Sequence, residues 1–310
     1  MGVGMGSCFL VAVGIISGIA VSGCAPSGAR DVRSSLPNDE AAKHVQMLNS
    51  VQISEETRQP YERAVLGLRR MNANGDLIGP CGSVLIRPDV VLTAGHCLDP
   101  SQSSDYAMVH VETVVDLQTT TAETTSARKV VKVIHHPLYK SMQKIDNGIT
   151  PKQYDHDMAI AILDRPFDSS IQPQPLAGSG EDITAGQELT VYGFGRGIDY
   201  GGSRGDPAAK FYGTLQRGVL QMSGQNYFDR AMSNPKSKNF LCDGDSGGPA
   251  FLVSKNKKNP PIVMGVNSAQ MGRLISKFTP TRYCKDAPSV LQAVAPFRAW
   301  IDQVLRENGK

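Results

Sequence analysis

An all-β sandwich or barrel is the fold class this sequence predicts, and three observations carry the prediction. Short apolar, β-branched runs recur at 64–68, 83–86, 90–92, 109–115, 130–134, 158–163 and 189–194, separated by Gly, Pro, Asn and Asp. No GxGxxG, P-loop or fixed-period repeat accompanies them, so the spacing suits strands rather than βαβ units. A single stretch has a strong helical period: Phe297, Trp300, Ile301, Val304 and Leu305, following Pro296. That terminal helix is expected to pack Trp300 and its neighbours onto the preceding barrel.

Length and composition are those of an ordinary globular chain. With 310 residues, 40% hydrophobic and 20% charged, it can form one large or two modest domains. The formal net charge of +3 is small for this length. Its basic residues are dispersed apart from a short run at 255–258, which leads to Pro260-Pro261 and reads as a solvated loop. Nucleic-acid binding therefore has little support.

The chain opens on a segment of a different kind. Residues 9–21 are apolar and rich in small side chains, too short to span a membrane as a helix but right for a signal h-region. The segment ends in Val21-Ser22-Gly23-Cys24, which resembles the bacterial lipoprotein cleavage box, where the cysteine is lipidated. Residues 1–7 carry no Lys or Arg, unlike the usual n-region. The expectation is a signal peptide over 1–24, an exported product, and a membrane tether through lipidated Cys24. A plain signal peptide cut nearby is the alternative. Residues 25–46 are polar and proline-punctuated, which suits a tether or pro-segment.

With Cys8 and Cys24 assigned to the leader, Cys81, Cys97, Cys242 and Cys284 remain. An even number in an exported chain argues for two disulfides, with three connectivities open. A metal site is the rival, but the sequence has no CxxC or HExxH spacing.

Three stretches carry chemistry. Thr93-Ala94-Gly95-His96-Cys97 follows a strand-like run and sets one imidazole among small neighbours. Asp155-His156-Asp157-Met158 puts a carboxylate at the mouth of the apolar run ending at Leu163. Beside an imidazole such a carboxylate fixes the tautomer and stabilises the imidazolium; stranded alone, it would cost several kcal/mol. Cys242-Asp243-Gly244-Asp245-Ser246-Gly247-Gly248-Pro249 has no apolar anchor. Its glycines suit a bent backbone that aims the amides of Gly244 and Ser246 at one point beside the Ser246 hydroxyl. His156 precedes Asp157 and, on alternating strand geometry, points the other way. His135 and His136 sit at a strand end and read as structural. The stretch 193–213 holds seven glycines and is expected to form a mobile loop.

TAGHC, DMAI and GDSGGP, in that order, resemble the chymotrypsin/trypsin family of serine endopeptidases. The likeness extends through Pro60-Tyr61 to Leu68, 81–86, 133–139, 191–195 and 297–305, covering about 47 to 308. That resemblance implies a fold of two perpendicular six-stranded antiparallel β-barrels with a C-terminal helix: barrel one over about 47–170, barrel two over 171–295, the helix over 296–307. It also implies roles for single residues. His96 would act as general base and then acid, Asp157 would orient it, and Ser246 would attack the scissile carbonyl. The amides of Gly244 and Ser246 would hold the oxyanion. Cys81–Cys97 and Cys242–Cys284 would be the disulfides. Protein or peptide substrates are implied, with no metal or organic cofactor and a monomeric enzyme. The rival reading is an inactive protease-fold binding protein, whose usual mark is a substituted triad; this triad is complete.

Two departures from the family pattern shape the expectations. The residue six before the nucleophile, at the floor of the primary pocket, is Phe240, which offers no charge to Arg or Lys. Ser268, Ala269 and Gln270 match the segment that pairs with extended substrate, with Gln270 narrowing the pocket wall. A small or medium apolar side chain is therefore the expected preference. Asp245 is the carboxylate that a newly cut amino terminus would pair with, yet Met47-Leu48-Asn49-Ser50 replaces the usual Ile-Val-Gly-Gly. The expectation is a zymogen cut near Gln46–Met47.

Overall fold

The computed structural model describes residues 51–53, 55–71, 77–99, 106–109, 127–140, 156–195, 215–226, 230–242, 244–254, 259–270 and 288–310. The leader, the tether, the lipidation candidate Cys24 and the candidate cleavage point lie outside them. So do Asp243, Cys284 and most of the glycine-rich stretch.

Strand β1 (Val51–Gln52) is an addition to the second barrel, and the first barrel begins after it. Strands β2 (Val65–Met71), β3 (Leu77–Arg87), β4 (Val90–Thr93), β5 (Tyr106–Val109), β6 (Arg128–His135) and β7 (Ala159–Leu163) close in the order β2-β3-β4-β7-β6-β5. Every pairing among them is antiparallel. β4 and β7 are buried along their whole length, which explains why their sequences, Thr93 apart, run apolar without alternation: both faces are covered. β5 includes the first residue of the expected run 109–115, and residues 110–115 lie outside the described residues.

Strands β8 (Glu188–Gly193), β9 (Gln216–Asn226), β10 (Arg230–Ser233), β11 (Pro249–Leu252), β12 (Ile262–Gln270) and β13 (Ser289–Ala293) form the second barrel. The order β9-β10-β13-β12-β11-β8 closes through the β8–β9 pairing. β1 adds to the outer edge of β9, with Val51 opposite Arg217 and Gln52 opposite Gln216. Further along, side chains cap that edge: the Val219 amide donates to Asn239 Oδ1 at 2.9 Å, and that of Gln221 to Ser237 Oγ at 3.1 Å. Two six-stranded barrels are thus established.

Helix α1 (Arg298–Glu307) follows a short 3₁₀ turn at Ala295–Phe297, and it buries Ile301, Val304 and Leu305. Trp300 is half-buried, and its ring meets His136, just past the end of β6, at 5.0 Å between centroids. The terminal helix therefore reaches the first barrel, beyond the strands that immediately precede it. Lys132 Nζ, donating to Asn308 Oδ1 at 2.7 Å, makes a second tie of that kind.

One buried polar cluster joins the entry of the first barrel to the second. Glu62 has no exposed surface. Its Oε2 accepts the Gln59 amide at 2.6 Å, and its Oε1 accepts the Tyr192 hydroxyl at 2.7 Å and Arg217 Nη1 at 2.9 Å. Burial first, and then the Glu62 carboxylate, push the Tyr192 hydroxyl far above its ordinary range, so it stays protonated and donates.

Candidate active site

The disulfide Cys81–Cys97 and one hydrogen bond bring the histidine and serine segments together. The disulfide ties β3 to the 3₁₀ turn Gly95–Leu98 that carries His96. The next residue, Gly82, donates its amide to the Ser246 carbonyl at 2.7 Å, and its own carbonyl accepts Thr93 Oγ1 at 2.7 Å. A methyl group on Gly82 would lie 2.6 Å from Gly248 Cα, so only glycine allows the two backbones to approach this closely. The sulfurs and the His96 ring lie within 4.8 Å of one another, but both sulfurs are bonded to each other and cannot serve as thiolate ligands.

Asp157 is fully buried and accepts three hydrogen bonds. Its Oδ1 takes the His96 amide at 2.9 Å, while Oδ2 takes His96 Nδ1 at 2.8 Å and the Ser268 hydroxyl at 2.6 Å. Burial works against its charge. The charge and hydrogen bond of His96, the Ser268 hydroxyl and the His96 amide outweigh burial and hold the carboxyl below its ordinary value. An ionised carboxylate can only accept, so His96 carries a proton on Nδ1; in the neutral ring this tautomer makes Nε2 the acceptor.

Because the Asp157 pKa is lowered on folding, its ionised form adds stability above the unfolded carboxyl's value of about 3.9. That contribution is lost as pH falls through this value towards the lower folded one. Asp157→Asn lacks it. The stability gap between wild type and Asp157→Asn is therefore expected to narrow below about pH 4, as measured by urea unfolding between about pH 2.5 and 6. A gap constant over that range would contradict the assignment.

Asp157, Ser268 and Ser246 are linked through β12. Asn267, next to Ser268, accepts the Gly247 amide at 2.8 Å and donates its own amide to the Gly248 carbonyl at 2.8 Å. Its Nδ2 also bonds the Asp245 carbonyl at 3.0 Å, so Asn267 grips the chain on both sides of Ser246. Gly244 and Gly247 take φ of +98° and +81°, the bent geometry that the glycine pattern predicts. Asp245 is buried, with Oδ1 accepting the Gly195 amide at 2.9 Å and Oδ2 that of Cys242 at 2.7 Å. A Cβ on Gly193 would meet Asp245 Oδ1 at a forbidden distance, and residues 193–195 are buried. The start of the glycine-rich stretch is thus packed rather than loose, because it walls in this carboxylate; residues 196–214 lie outside the described residues.

Phe240 is buried, at 5% exposure. Ala269 and Gln270 belong to β12, paired with Val290 and Ser289; their side chains are not described. Cys242 is disulfide-bonded, its expected partner Cys284 being among the residues not described. His135 Nε2 lies 3.1 Å from the Gly95 carbonyl oxygen, which can only accept, so this nitrogen is the donor. Two site residues escape a motif-based reading: Gln292, whose Oε1 accepts the Asp157 amide at 3.1 Å, and Asn267. Each is a polar residue buried within a strand, in a sequence context that carries no motif.

The model of the trypsin family matches residues 55–301, most of the chain. The chain belongs to the trypsin family. Its members are serine-type endopeptidases acting on protein or peptide substrates. Mast cell protease 2 of Ovis aries is similar at 22% identity over 258 residues, covering 81% of this chain and 89% of the relative. Granzyme B of Rattus norvegicus is 27% identical over 241 residues, 74% of this chain and 80% of the relative. Granzyme M of Homo sapiens is 27% identical over 232 residues, 72% and 79% respectively. At these identities the trypsin-family assignment carries the fold and the chemical class, and leaves specificity to this chain's own residues.

Proposed function

We propose that Ser246, His96 and Asp157 form the catalytic triad of an endopeptidase that works through an acyl-enzyme. The observation that carries this reading is the buried Asp157 carboxylate bonded to His96 Nδ1, which selects the tautomer whose neutral ring has Nε2 as its acceptor. In the proposed cycle Nε2 takes the Ser246 hydroxyl proton as Oγ attacks the scissile carbonyl, and returns it to the leaving amine. Water then repeats the sequence on the acyl-enzyme. The Gly244 and Ser246 amides receive the oxyanion; neither has an acceptor among the described residues, which supports that role.

Specificity is proposed to favour small or medium apolar side chains over Arg and Lys. An uncharged, buried Phe240 supports it. Ser268, Ala269 and Gln270 would pair with the substrate as an added strand. A fluorophosphonate probe followed by a peptide library tests both parts. Labelling lost in Ser246→Ala, with cuts after apolar residues, is the expected result. No labelling of fully processed protein would favour the inactive binding protein instead, and cuts after Arg or Lys would overturn the pocket reading.

Residues 1–24 are proposed to be an export leader ending at a lipidated Cys24, with Cys242–Cys284 as the second disulfide. The relatives named above are mammalian, so the bacterial origin implied by the cleavage box rests on that segment alone. Asp245 is proposed to receive the amino terminus formed by a cut near Gln46–Met47, ordering the oxyanion site. N-terminal sequencing of active protein is expected to begin at Met47. Active material that starts at residue 25 or nearby overturns the zymogen.

A further inference from the structure

Asp157 sits at the apex of a tight turn, and the residue before it sets the turn's direction. Among the described residues His156 alone, glycines aside, has a positive φ, +48°. Its carbonyl accepts the Met158 amide at 2.7 Å, closing a three-residue turn around Asp157. The Met158 carbonyl in turn accepts the His136 amide at 3.0 Å.

The His156 ring lies parallel to that of His136, at 5.1 Å between centroids and 7° between planes. Phe297 and Trp300 meet His136 edge-on at 4.8 Å and 5.0 Å, and Phe297 also reaches His156 at 5.9 Å. Among the described residues, His156 Nδ1 is buried without a hydrogen-bond partner. Stacking thus holds this ring, and the terminal helix region backs the stack. A left-handed backbone crowds the Cβ of an L-residue, and such a conformation persists only where its surroundings impose it.

We propose that His156 is a positioning residue for Asp157. Its left-handed backbone, wedged by the stack on His136, turns the next side chain away from the ring and onto His96. The inference rests on the triad reading, and it adds a requirement on the residue before the carboxylate: it must accept positive φ. Asn does so several-fold more readily than most residues, and a β-branched residue does so least.

The test compares His156→Val with His156→Asn, each normalised to the fraction of enzyme that a fluorophosphonate titrates. His156→Val is expected to lower kcat about 10²-fold, as misplacement by about 1 Å can, with KM little changed. His156→Asn is expected to restore most of that kcat, although it too lacks the ring. If His156→Val yields no folded protein, His156→Ala against His156→Asn makes the same comparison. Unchanged kcat in the Val or Ala variant, or an equal loss in the Asn variant, overturns the proposal. Ser246→Ala run alongside separates the two readings: retained activity there overturns the triad itself.

Discussion

Ser246→Ala is expected to lower kcat by about 10⁶-fold, the scale seen when a serine nucleophile is removed from a working triad. Substrate binding should persist, because the strand-pairing segment and the pocket do not depend on the hydroxyl. His96→Ala is expected to cost about as much, and the double variant little more than either single one, since the two side chains act as one unit. Single-turnover kinetics with a peptide ester measure all three. Additive losses would mean that Ser246 and His96 act in separate steps, which the proposed proton transfer from Oγ to Nε2 does not allow.

Arg217→Met is expected to destabilise the protein by about 2–3 kcal/mol. The cost arises at Glu62, whose carboxylate has no exposed surface and would keep only the Tyr192 hydroxyl and the Gln59 amide. The figure lies below the range for a wholly buried pair because the Arg217 side chain is 38% exposed, and water screens part of the interaction. The double variant Glu62→Met/Arg217→Met is expected to lie within about 1 kcal/mol of wild type, since it leaves no buried charge behind. Tyr192 would still have the Tyr61 hydroxyl at 3.0 Å, and Gln59 is exposed enough for its amide to reach water. Urea unfolding of both variants decides it. A double variant as unstable as Arg217→Met would mean that packing, rather than an uncompensated carboxylate, accounts for the loss.

Most of the first barrel was legible because β7 is apolar throughout and β4 is apolar up to Thr93, and Pro, Gly and Asp bracket them. The second barrel was harder to read. β9 (QRGVLQMSGQN) alternates weakly and contains two glycines, and the pairing of Gln216 and Arg217 with β1 depends on a segment far away in sequence. Motif order pointed to His96, Asp157 and Ser246, and the glycines around Ser246 pointed to its bent backbone. Motifs were silent on Gln292 and Asn267, because a side-chain amide in a strand has no local pattern that tells what it will bond.

The sequence by itself determined the kinds of group available and their local conformational limits: a serine among glycines, an imidazole beside a cysteine, a carboxylate leading into a strand. Only the tertiary structure decided which of these groups meet. Asp157 and Ser268 are separated by 111 positions yet lie 2.6 Å apart, and Glu62 and Arg217 are separated by 155. Such pairings come from barrel closure and from backbone contacts as close as that at Gly82, where no side chain intervenes. His156 shows the division most clearly. Its identity is local, but the stack that holds it in a left-handed turn needs His136 from the end of β6 and the rings of Phe297 and Trp300 from the chain's last segment.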